Sequence, residues 1–190
     1  MSFIQIIDEE DADGPLAEIY EKIAGARGGV ANVLKIHSLN AKSMAAHFDL
    51  YKVVQFGRSA LSRPLREMIG VVVSAANHCS YCIAHHSEPL YGYRIDKTFV
   101  QAIGRGELPT GVVSDAEFAL LEYAQHITLS PGADASAIER LRAAGWNDAA
   151  ILDATLVAAY FNFVNRIVES LGVELEADFK STCEPDLTVR

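Results

Sequence analysis

The chain has 190 residues, half of them hydrophobic, and a formal net charge of −9. That length fits a single domain with a sizeable core, and the composition excludes extensive disorder. The acidic balance repels phosphate backbones and excludes nucleic acid as a partner, and no unbroken apolar run reaches the ~18 residues of a bilayer span.

The N-terminus, Met1 to Asp13, lacks the basic and apolar zones of a signal peptide. A cytoplasmic protein with no membrane partner is therefore expected. Asp13-Gly14-Pro15 opens a helix with Leu16, Ile19, Tyr20 and Ile23 on one face, ended by Gly28-Gly29. Asn40 caps a second helix carrying Met44, Phe48, Tyr51 and Val54 to about Gly57. Ser62 caps a third, with Pro64 in its first turn, running to about Asn77. Within it, Ile69 to Val73 is rich in β-branched residues and has a strand reading, but so few other strand signals exist that a helix is favoured. Asp96 caps a short helix to Gly104, and Ser114/Glu117 and Ser136/Glu139 have capping-box spacing. Asn147 begins the longest segment, which closes at Gly172; its middle, Leu156 to Val164, is apolar nearly all round and reads either as a core helix or as one partly covered by a second subunit. The expectation is one all-helical domain over 1–190, with a core at about 15–178 and a polar tail at 179–190.

The chemistry concentrates in Asn77-His78-Cys79-Ser80-Tyr81-Cys82-Ile83-Ala84-His85-His86. If Cys79 starts a helix, Cys82 lies about 60° from it in projection and His86 about 20°, all on one face, whereas His85 points about 120° away. A helix N-terminus lowers a thiol pKa. A second cysteine three residues on allows an intramolecular disulfide, and a histidine one turn later accepts or donates a proton near neutrality. Glu67 joins this cluster only if the chain doubles back near Asn77-His78, which brings it beside His86 as an orienting carboxylate.

Three cysteines, two of them three apart, do not look like a disulfide scaffold. On residues alone the pair leaves redox and metal chemistry open. Zinc is the chemical rival, with Cys79, Cys82, His85 and His86 as ligands, but one helix cannot wrap four ligands around an ion. His37, His47 and His126 read as isolated, and Cys183 as a spare residue in the tail. No metal and no cofactor are expected.

Glu67, eleven residues, Cys79-x-x-Cys82, three residues, His86 resembles the signature of the alkylhydroperoxidase D-like family, within the carboxymuconolactone decarboxylase superfamily. The stretches from Leu61 to His86 and from Val157 to Val173 are similar to its peroxidase-related branch, and the likeness spans about residues 15–178. The resemblance implies an all-helical fold, a homo-oligomer, and reduction of a small-molecule hydroperoxide by the cysteine pair. It implies Cys82 as attacking thiol, Cys79 as resolving thiol, Glu67 and His86 as proton relay, Tyr81 and His85 in support, and a thiol or protein reductant. Tyr81 departs from the family pattern, which has a histidine there; tyrosine titrates near 10, so it donates a hydrogen bond rather than acting as a base. Other functions considered are a zinc-binding or redox-sensing interaction protein without turnover, and a decarboxylase-like enzyme, whose chemistry needs no cysteine pair.

Overall fold

The computed structural model describes residues 2–130, 132, 134–177 and 179. Cys183 and the tail from 180 onward lie outside the described residues. Among the described residues the chain is helical, with no strand.

Helix α1 (Gly14–Arg27) takes Pro15 in its first turn and ends on Gly28, whose φ of 79° only glycine adopts freely. One short turn, α2 (Asn32–Lys35), follows. Helix α3 (Ala41–Tyr51) starts at Asn40, whose side chain accepts from the Ser43 N–H. The sequence pattern predicts α-helix on to Gly57; instead the backbone widens into a π-helical turn, Lys52–Phe56. The reason lies in the next helix, α4 (Arg63–Ala76): buried Arg66 draws in the carbonyls of Val54, Gln55 and Gly57.

Beyond α4 come α5 (Ser80–Gly92), α6 (Lys97–Gly104) capped by Asp96, and α7 (Asp115–Leu129) with the predicted Ser114/Glu117 capping box. The second predicted box is wrong. Helix α8 (Ala135–Ala143) is capped by Asp134, which accepts from the Ala137 N–H and from Ser136 Oγ. Asp134 offers the stronger, charged acceptor two residues earlier, and Glu139 turns to Arg142 instead. Helix α9 (Asp148–Leu171) runs the predicted span, from Asn147 to a left-handed Gly172.

α4 is the axis of the molecule. Every residue from Leu65 to Ala75 is buried, because α5, α6, α7 and α9 all pack on it. A helix covered on all sides has no polar face, which is why Ile69 to Val73 looks strand-like in sequence. Each fully buried aliphatic side chain there contributes about 1.5–3 kcal/mol. Gly70 lets α9 close in: a Cβ at this position would sit 2.5 Å from the Phe161 ring. A smaller core of Leu16, Ile19, Tyr20, Ile23, Leu34, Met44 and Phe48 joins α1, α2 and α3.

The outer side of α9 stays exposed at Leu152, Leu156 and Phe163, while Val157, Ala158, Phe161 and Val164 are buried. Unbroken apolar runs understate this helix. By length and composition α9 is apolar enough to cross a membrane, and half of its most apolar window is buried within the fold.

Candidate active site

The hairpin needed to bring Glu67 to His86 is present. α4 stops at Ala76, and His78 takes a left-handed φ of 59°, a conformation in which histidine is several-fold enriched. The Cys79 N–H then bonds back to the Ser74 carbonyl at 2.8 Å. This reverses the chain, and α5 returns antiparallel along α4. Cys79 becomes the N-cap of α5 and Cys82 lies in its first turn. Both thiols are free and buried, with relative exposures of 0% and 2%.

Glu67 and His86 meet as the spacing predicts. His86 Nδ1 lies 2.5 Å from Glu67 Oε2, and the carboxylate is fully buried. With Nδ1–H donating, the other ring nitrogen of a neutral His86 is left as an acceptor. Cys82 is one turn earlier on the same helix face, the spacing at which helical side chains are neighbours. Phe161 packs edge-on against the His86 ring at 4.5 Å. The second carboxylate oxygen of Glu67 pairs with Arg63, one turn earlier on α4. A buried carboxylate is tolerable only with such partners.

The thiols sit differently from the sequence expectation. Cys82 is pushed well above the ordinary thiol range, first by the hydrogen-bonded Cys79 beside it, then by burial. A hydrogen bond from Asn165 acts the other way and pulls Cys82 down. Asn165, on α9, is completely buried and held in place on both ends of its amide: it donates to Ser74 Oγ at 3.1 Å and accepts from Asn77 Nδ2 at 2.9 Å. Asn77 in turn accepts from exposed Arg166.

A second carboxylate–histidine pair lies on the other side of α5. Glu176, just after α9, accepts from Tyr81 OH at 2.8 Å and from the Asn32 N–H at 2.6 Å through one oxygen, and meets His85 Nε2 at 2.8 Å with the other. Burial opposes its ionisation, but these bonds overcome that and hold its carboxyl down at about 2. Burial, then the Glu176 charge, drives the Tyr81 phenol far above its usual range, so it keeps its proton and donates it to Glu176 as a hydrogen bond. Tyr81 thus ties the cysteine turn to the C-terminal segment and to α2, where the Val33 N–H bonds its oxygen. His85 points away from the thiols, as projection predicts.

Two histidines expected to be isolated are not. His47 Nδ1 meets His37 Nε2 at 3.0 Å, and His47 Nε2 meets Tyr160 OH at 2.9 Å. His126 faces Asp134. Among the described residues no group of three or more His, Cys, Asp or Glu side chains could hold a metal ion. Sequence reasoning missed Arg63, Asn165 and Glu176. Arg63 carried a signal, an i,i+4 pairing with Glu67, and so did Asn165, a polar residue on an apolar face of the last helix.

A helical bundle whose central hairpin buries a CxxC turn beside a glutamate–histidine pair has the alkylhydroperoxidase D-like fold. The model of the carboxymuconolactone decarboxylase family matches residues 41–125, from α3 through most of α7. A peroxidase-related protein from Silicibacter sp. TM1040 superposes with a TM-score of 0.79 at 25% identity, over 95% of this chain and 92% of that one. The alkylhydroperoxidase AhpD core of a peroxidase-related protein from Ralstonia eutropha JMP134 gives 0.83 at 22% identity, over 94% of both chains. The debrominase Bmp8, in a cysteine-to-alanine form bound to 2,3,4-tribromopyrrole, gives 0.76 at 20% identity, over 96% of this chain and 97% of that one. No curated protein sequence matches the chain.

Proposed function

We propose that this protein is a thiol-dependent peroxidase that reduces alkyl hydroperoxides through Cys79 and Cys82. One observation carries the reading: the buried Glu67–His86 pair stands one helical turn from a reduced, buried cysteine pair. A thiol pushed up as Cys82 is needs a general base, and His86 is the histidine spaced to serve it.

His86 takes the Cys82 proton, and the thiolate attacks the terminal oxygen of the hydroperoxide. The O–O bond breaks, giving a Cys82 sulfenic acid and an alkoxide that His86 protonates to the alcohol. Cys79 then condenses with the sulfenic acid, releasing water and forming the disulfide. An external dithiol, as a small thiol or a protein, supplies the two electrons that restore both thiols. Tyr81 and His85 support the turn through Glu176 and take no part in proton transfer. No cofactor is required. A homo-oligomer in the cytoplasm belongs to the same proposal, and the exposed Leu152, Leu156 and Phe163 on α9 offer an apolar face for a second copy.

Titrating the reduced protein with cumene hydroperoxide tests it. One Cys79–Cys82 disulfide should form per peroxide consumed, and Cys79→Ser and Cys82→Ser should each abolish it. Undiminished turnover in the double variant would overturn the reading. Bromide release from a bromopyrrole with no peroxide consumption would replace it with dehalogenation by the same thiols.

A further inference from the structure

We propose that Arg63 is a positioning residue that sets the tautomer of His86. The proposal rests on the relay reading above and extends it by one member.

Arg63 reaches Glu67 Oε1 through Nη2, while His86 occupies the other carboxylate oxygen. Its second nitrogen is fixed as firmly. Nη1 donates to the Gln55 carbonyl at 2.7 Å and to Gln55 Oε1 at 3.2 Å. The guanidinium also lies over the Phe56 ring, 3.7 Å from its centroid. All three anchors belong to the π-helical turn Lys52–Phe56, and single π turns recur at functional sites. The irregular turn thus builds a socket that Arg63 shares with Arg66. Arg66, the neighbouring guanidinium, cannot replace it, because its nitrogens are engaged by the carbonyls of Leu61, Val54, Gln55 and Gly57.

A completely buried carboxyl prefers to be neutral, and an adjacent fixed cation reverses that preference. With Arg63 in place, Glu67 is anionic, Nδ1 of His86 keeps its proton, and Nε2 is free to take the proton of Cys82. Without Arg63, Glu67 takes up a proton and, as a neutral acid, donates an O–H hydrogen bond to an unprotonated Nδ1. The ring's own hydrogen then moves to Nε2, and the base is lost. The charged or titratable groups paired with Glu67 include Arg63 from α4 and His86 from α5.

The test compares wild type, Arg63→Met, Arg63→Lys and His86→Asn in the full-length protein. Two readouts are used: the 15N shifts of the His86 ring, and the rate of Cys82 alkylation by iodoacetamide against pH. Neither requires peroxide turnover. Arg63→Met should move the proton from Nδ1 to Nε2 and slow alkylation near pH 7 by about tenfold. Arg63→Lys should restore most of the rate. An unchanged tautomer and profile in Arg63→Met, with His86→Asn slow, would overturn the role of Arg63 while leaving the relay intact. Equal rates in His86→Asn and wild type would instead remove the relay itself. If Arg63→Met does not fold, Arg63→Lys decides through its ring shifts: a proton kept on Nδ1 supports the assignment, and a proton moved to Nε2 despite the retained cation contradicts it.

Discussion

His85 and His86 are neighbours in sequence, yet each pairs with a different carboxylate and the two pairs do different work. His86 turns inward to Glu67, 19 residues away across the hairpin. His85 turns outward to Glu176, 91 residues away, where the segment after α9 closes over α2 and α5. The inner carboxylate has Arg63, anchored on Gln55, at its other oxygen. The outer carboxylate divides its oxygens between Tyr81 with the Asn32 N–H on one side and His85 on the other. Identical chemical partners thus differ in what backs them, a fixed cation for Glu67 and a phenol with a backbone N–H for Glu176, whose pair acts as a clasp on the C-terminal segment.

The comparison breaks most visibly in activity. Glu67→Gln should slow disulfide formation by about 10²–10³-fold, the usual worth of a positioned acid–base unit, whereas Glu176→Gln should change it by no more than about threefold. Stopped-flow rates with cumene hydroperoxide check both, and equal losses would erase the distinction. Stability should respond in the opposite sense. Glu176→Ala strips His85 and Tyr81 of their buried partner and should cost about 3 kcal/mol in urea unfolding.

The clasp also has a pH signature. The Glu176 carboxyl falls from an ordinary 4.5 to about 2 on folding. A depressed carboxyl stabilises the fold above its unfolded value and loses that contribution as pH drops through the folded one. The stability difference between wild type and Glu176→Gln should therefore be constant above about pH 5 and shrink toward pH 2. A difference independent of pH would show that the carboxylate charge is not what closes the strap.

Smaller changes sharpen the same contrast. Gly70→Ala places a methyl against Phe161, which packs on His86, and should cost about 1–3 kcal/mol together with a measurable fall in peroxide rate. Tyr81→Phe removes one clasp hydrogen bond and should cost only about 1 kcal/mol in thermal unfolding, with the peroxide rate unchanged.

What could be read from sequence follows the range of each interaction. The helices were legible because caps at Asn40, Ser62, Asp96, Ser114 and Asn147 are local signals, each answered by an N–H within three residues. Glu67–His86 was legible given one turn at Asn77-His78, since both ends lie on the same hairpin. Glu176 was not, because no local pattern says where a segment after the last helix will lie. The same holds for His37, His47 and Tyr160, whose chain of hydrogen bonds joins α3 to α9 with the residue just after α2. The π turn was hidden for another reason: it is imposed by Arg66 from outside its own segment. The raised Cys82 thiol was hidden because its causes, the hydrogen-bonded Cys79 and then burial, appear only once the turn is folded.

The most direct test mixes the reduced protein with one equivalent of cumene hydroperoxide, quenches it over time, and quantifies the Cys79–Cys82 disulfide by mass spectrometry, for wild type and His86→Asn. The expected result is one disulfide per peroxide in wild type, formed at least about a hundredfold more slowly in the variant. Equal rates in the two proteins, or a wild-type protein that leaves the peroxide unconsumed, would contradict a cysteine pair driven by the Glu67–His86 relay.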